Sequence, residues 1–249
     1  MNFSEILVTM EDELFRGSKS RYVWFFGGVF VFLCFLAMHY GTYMSLLFPN
    51  FEGIPYSLIS YLVVLSIGPF IIMITSFDIV SSEIETGSIR YIIPKVHRSS
   101  FILGKFFFLF LVFISISSGI ALISLMYQYS ADNVFQFKNT ILFWIFSSLY
   151  LGCFISIFLL ISTLSVNNKI SFTMSIVFLG ILIYFFLQGH DTYLKYITPF
   201  FYGIENMSFI NSFSVKTGYL RFCESLFSMF LYILVFLSTS LVAIKRRDL

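Results

Sequence analysis

Between residues 78 and 105 the chain places Asp78, Glu83 and Glu85 ahead of Arg90, Lys95, Arg98 and Lys105, with Gly87-Ser88 and Pro94 in between. Ser82 followed by Glu85 has capping-box spacing, so a short helix is expected to start there. Ile89, Ile92 and Ile93 give it an apolar edge, and Pro94 ends it. Such a helix, acidic at one end and basic at the other, can dock a partner through charge-assisted hydrogen bonds and ion pairs. Phosphate chemistry is not expected. The chain has no GxxxxGK[ST], and Gly104-Lys105 stands at the mouth of an apolar run with Phe106 next. Cys34, Cys153 and Cys223 are far apart, lack CxxC spacing and have no neighbouring His, so they read as small apolar residues rather than metal or disulfide partners. The apolar stretches carry His39, Gln128 and Gln188 near their ends, and no buried Asp, Glu, Lys or Arg is expected in the spans, which argues against an intramembrane hydrolase and against proton or sodium coupling. Met38, Met44, Met73, Met126, Met174, Met207 and Met229 read as packing residues.

The elements that must hold this polar stretch follow from composition. Of 249 residues, 58% are hydrophobic and 11% charged, including 35 Phe and 15 Tyr. Soluble domains carry about 25% charged residues, so the solvent of this chain is a bilayer. A net charge of +2 gives no reason to expect a nucleic-acid partner. Six intervals lack Asp, Glu, Lys and Arg: 22–51, 53–77, 106–131, 139–168, 170–190 and 225–244. Each is long enough to span as a helix, and the unbroken Phe106-to-Phe113 run has none of the alternation a membrane strand requires. The expected fold class is therefore all-α integral membrane. Spanning helices are placed at 22–48, 56–77, 103–128, 141–164, 170–189 and 224–244, within a single transmembrane domain over 1–249.

Ahead of the first span, Phe3, Ile6, Leu7, Met10 and Leu14 recur at helical spacing, with Glu5, Thr9, Asp12 and Arg16 on the other face. That pattern predicts an amphipathic helix over 1–20 lying along the membrane surface, with the chain turning inward at Gly17 and Ser18. Glu5, Glu11, Asp12 and Glu13 are the opposite of a signal peptide's basic start, so this segment is expected to be retained. Placing the N-terminus inside puts Arg16, Lys19, Arg21, Arg90, Lys95, Arg98, Lys105, Lys169, Lys245, Arg246 and Arg247 on the cytoplasmic side. Only Lys138, Lys195, Lys216 and Arg221 are then outside, so both termini are expected in the cytoplasm. The polar stretch at 78–100 is then cytoplasmic. The outer loop at 191–223, rich in aromatics with Pro199 and Gly203, is expected to be re-entrant or interfacial.

The order Asp78, Glu83, Glu85, Gly87, Ser88, Pro94, Arg98, Gly104 and Lys105 resembles the loop after the second span in permease subunits of the ABC-2 type exporter family. The likeness extends over nearly the whole chain, from the amphipathic start through six spans to the basic end Lys245-Arg246-Arg247. Ser88 stands where that family usually has Thr, and Pro94 sits one residue further from Arg98 than is common.

The resemblance implies a cytoplasmic coupling helix between spans two and three, with Glu83, Glu85, Gly87, Ser88, Arg90, Pro94 and Arg98 contacting a separate ATP-binding cassette subunit. It implies a transport subunit rather than an enzyme, with no cofactor in this chain because ATP and Mg belong to the partner ATPase. It also implies a second permease copy and a multi-pass place in a prokaryotic plasma membrane, among membrane lipids. A path lined by Phe, Tyr, Ser and Thr suits export of a hydrophobic or amphipathic cargo such as a lipid, a peptide or a drug-like molecule. The other reading of the same docking stretch is a non-transporting sensor or assembly subunit.

Overall fold

A computed structural model describes residues 3–19, 21–47, 55–89, 96–133, 135–188, 193–211 and 218–247, and among these the chain is helical with no strand. The helices are α1 (Phe3–Lys19), α2 (Arg21–Leu47), α3 (Tyr56–Ser76), α4 (Ser81–Glu85), α5 (Arg98–Asp132), α6 (Phe137–Leu164), α7 (Asn168–Gln188), α8 (Pro199–Asn211) and α9 (Gly218–Arg246), with a 3-10 turn at Tyr193–Ile197 before α8. Six of them, α2, α3, α5, α6, α7 and α9, are long and apolar enough to cross a membrane. The protein is an all-α, multi-pass integral membrane protein.

α6 is the centre. It is buried over 72% of its spanning window, against 22% for α2, α7 and α9, and it packs on α3, α5, α7, α8 and α9. Its sequence explains the position, because Gly152, Cys153, Ser147, Ser148 and Ser156 let neighbours approach while Phe143, Phe146, Phe154 and Phe158 fill the gaps between them. The Tyr150 hydroxyl donates to the Leu65 carbonyl of α3 at 2.9 Å, so the one polar atom of that buried ring is paired. Ser117 and Ser148 meet across α5 and α6 at 3.3 Å.

Several ends differ from those read off the sequence. α1 runs on through Gly17 and Ser18, where the chain was expected to turn. α5 starts at Arg98 rather than 103 and continues to Asn133, whose left-handed backbone (φ 53°) stops it. Apolar content marks the thickness of the membrane, whereas backbone hydrogen bonds mark the helix, which here extends beyond the apolar run at both ends.

Residues 199–211, within the expected outer loop, form α8, which packs on α3, α6 and α9. Its Phe200 ring lies edge-on to Tyr150 and Phe154 of α6 at 6.3 and 5.3 Å. The helix thus reaches the middle turns of α6 rather than lying above the bundle. Asn206, buried within it, accepts a hydrogen bond from Ser225 of α9 at 2.8 Å. Among the described residues the three cysteines are free, and no group of His, Cys, Asp and Glu is placed to hold a metal.

Candidate functional site at the base of the bundle

α1, α4, the start of α5, the join between α6 and α7 and the last turn of α9 meet at one end of the bundle. Their polar groups interlock there. The centre is Lys105, 1% exposed, about two turns into α5. Its ammonium donates to Glu13 Oε1 of α1 at 2.5 Å, to Glu83 Oε1 of α4 at 3.0 Å and to the Ile79 carbonyl at 2.7 Å. An ammonium has three N–H bonds, and each finds an oxygen. That complete set of partners offsets the cost of holding the group out of water. The Phe101 ring, 4.8 Å from Nζ, covers one side. No buried charge was expected near the apolar runs, and Lys105 corrects that: it is a buried cation at the foot of a spanning helix.

α1 reaches this position because its packing face is not the one its apolar residues suggest. Ile6, Thr9 and Glu13 turn toward α5, while Leu7 and Leu14 are exposed. Thr9, expected on the solvated face, is buried: its hydroxyl donates to the Ile6 carbonyl at 2.9 Å and faces the Ser100 carbonyl at 3.4 Å. The crossing is close enough that a Cβ on Gly104 would stand 2.7 Å from Thr9 Cβ. Only glycine fits there. Glu5 adds a cap, accepting the His97 backbone N–H at 3.2 Å just before α5 begins.

The segment 77–89 is held from the other side. Ser162 Oγ, near the end of α6, accepts the backbone N–H groups of Val80 and Ser81 at 3.1 and 3.0 Å. The expected cap of this helix was Ser82 in a box with Glu85. Instead Val80 is the N-cap and makes no side-chain cap bond, and a serine from another helix satisfies the free N–H groups. Glu85 does not reach back either: its Oε2 accepts the Asn168 N–H at 2.9 Å and so caps α7. Ser81 donates to Asn168 Oδ1 at 2.6 Å and Ser171 to the Phe77 carbonyl at 2.5 Å.

Gly87, at φ +69°, ends α4 after five residues; Ile89 is helical again, and the Pro94 stop expected from the sequence lies outside the described residues. The Thr86 hydroxyl donates to the Ser82 carbonyl at 2.8 Å, and the Ser88 hydroxyl stands 3.1 Å from it, so the Gly-Ser turn closes back on the helix. Arg98 closes the end of another helix. Its Nη1 donates to the carbonyls of Ile244, Lys245 and Arg247 at 3.3, 3.2 and 2.8 Å, sealing the C-terminus of α9. Arg247 in turn donates to the Thr163 carbonyl at the end of α6 at 2.5 Å.

Of the seven residues singled out for coupling, the structure brings Glu83, Glu85, Gly87, Ser88 and Arg98 to this one base. Arg90 and Pro94 lie outside the described residues. Glu13, Lys105, Ser162 and Asn168 belong to the same interlock and were not singled out. The sequence signals for Lys105 were its place after Gly104 in the family-like pattern and its position as a lone cation at the mouth of an apolar run.

The geometry defines a class: a multi-pass helical membrane protein whose polar groups knot five chain segments together at one end. Residues 10–249 match the family described as ABC-2 family transporter protein. That match covers nearly the whole chain, and the chain belongs to the ABC-2 transporter family as its membrane-spanning component. No curated protein resembles the chain closely enough to count as a match. Permeases of this family generally pair with a cytoplasmic ATP-binding subunit.

Proposed function

We propose that the chain is the permease half of an ATP-binding cassette exporter. It receives movement from a separate ATPase at the base of the bundle and passes a hydrophobic or amphipathic cargo outward. The observation that carries this reading is the Lys105 cluster, in which one buried cation ties α1 and α4 to the foot of a spanning helix. A partner pressing on the α4 turn would therefore move α1 and α5 with it. Among the described residues, the exposed groups around the turn are Glu85, Thr86 and His97. In this reading the base is cytoplasmic, ATP and Mg stay on the partner, and two permease copies enclose the path, since six spans are few for one.

The test separates docking from folding. Thr86→Arg changes an exposed side chain whose loss leaves the Lys105 cluster whole. It should leave the amount of protein in the membrane unchanged while abolishing co-purification with the ATPase. Retained co-purification in Thr86→Arg and in the paired variant His97→Glu would remove the coupling assignment.

A further inference from the structure

Two apolar grooves open on either side of Leu164, the exposed last residue of α6. One, of about 330 Å³, runs between α6 and α7 and is lined by Ile161, Leu164, Val166, Ile170, Met174 and Ile181. The other, of about 390 Å³, lies between α6 and α9 along Leu160, Leu164, Ser238, Thr239, Val242 and Arg246. From Ile170 to Ile181 the first groove follows α7 for about 16 Å, the scale of a hydrocarbon chain. Both grooves open at the same end of the bundle and share one wall residue.

Two basic side chains flank the grooves at that end. Arg246 lines the second groove, and Lys169 stands next to Ile170 at the start of the first. Both are exposed, and neither side chain makes an ion pair or a hydrogen bond among the described residues. Glu85 of α4 is engaged at the Asn168 N–H, beside Lys169. Basic groups beside paired hydrocarbon-sized grooves match a ligand with two acyl tails and an anionic head. A second copy of the chain fits less well. A two-fold contact here would bring another Arg246 and Lys169 to the same end, adding like charge to like.

We propose that this face is a binding site for an anionic phospholipid, seated astride Leu164 with one tail in each groove and its phosphate between Arg246 and Lys169. The site is separate from the Lys105 cluster and does not depend on the cargo. Holding a lipid there fixes α7 and α9, the two least buried spans of that side, against α6.

Photo-crosslinking in nanodiscs tests it. The full chain is reconstituted in phosphatidylcholine containing a trace of diazirine-tailed phosphatidylglycerol or, in parallel, diazirine-tailed phosphatidylcholine. Adducts are then mapped by mass spectrometry. Phosphatidylglycerol adducts should concentrate in both 160–181 and 238–246 and exceed those of phosphatidylcholine there. Arg246→Gln should lower that excess about fivefold, and Leu164→Trp should remove adducts from both stretches while those around exposed Leu122 persist. Equal labelling by the two lipids, or an excess untouched by Arg246→Gln, overturns the proposal. So does disulfide trapping of Met174→Cys between copies with no lipid adducts in the groove. Arg246→Gln alters an exposed side chain, so it remains decisive if Leu164→Trp fails to fold.

Discussion

A lysine that gives all three of its N–H bonds to protein oxygens leaves a heavy debt when it is removed. In Lys105→Met, Glu13 and Glu83 would face each other, 15% and 12% exposed, without the cation that reconciles them. Breaking a buried ion pair from one side costs about 3–5 kcal/mol, so a markedly lower unfolding temperature in detergent is expected. Adding Glu13→Gln and Glu83→Gln to Lys105→Met should recover much of the loss, since the uncompensated charges then disappear. Failure to recover would mean that the cost comes from packing around Phe101 instead. Gly104→Val asks the neighbouring question. Its side chain would collide with Thr9, so α1 should lift from α5 at a cost of about 1–3 kcal/mol, read as protease cleavage within residues 3–19. The cluster was hard to foresee because its partners are 92 residues apart in sequence for Glu13 and 22 for Glu83. No local periodicity registers a pairing across such distances.

At the level of elements, helix ends at the base are capped mainly by other helices, although α7 also uses its own flank, where Asn167 Oδ1 accepts the Ile170 N–H at 2.9 Å. α4 takes its cap from Ser162, α7 from Glu85, α5 from Glu5, and α9 is closed by Arg98. Reading Ser82 and Glu85 as a self-contained capping box therefore found the right stretch and the wrong partners. The residue types were chosen for capping, but which helix they cap depends on packing that sequence spacing does not record. Arg98→Ala tests the exchange. The last carbonyls of α9 would lose their donor, with a loss of about 1 kcal/mol and faster hydrogen exchange confined to the final turn near residues 243–247. Unchanged exchange there would show that Arg98 is idle in the cap. The spans themselves were legible because a bilayer imposes one demand, a long uncharged apolar run, which the chain states openly. α8 was less so: its thirteen residues are too few to span, and only its aromatic packing on Tyr150 and Phe154 shows how deep it goes.

For the molecule as a whole, the proposed orientation puts the α4 turn and the Asn133 turn on opposite sides of the membrane. A membrane-impermeant maleimide should label Asn133→Cys in intact cells and Thr86→Cys only after permeabilisation. The reverse pattern would place the base outside and remove any route for an ATPase to reach it. What links the two faces most directly is α5, 35 residues without a break. At 1.5 Å per residue it is about 52 Å long, well beyond the roughly 30 Å of hydrocarbon it crosses. Pinned near its foot by Lys105, it acts as a boom: with about 40 Å of helix beyond that point, a tilt of about 5° there would sweep the far tip sideways by about 3.5 Å, enough to open or shut a passage for an acyl-sized guest without any helix having to melt.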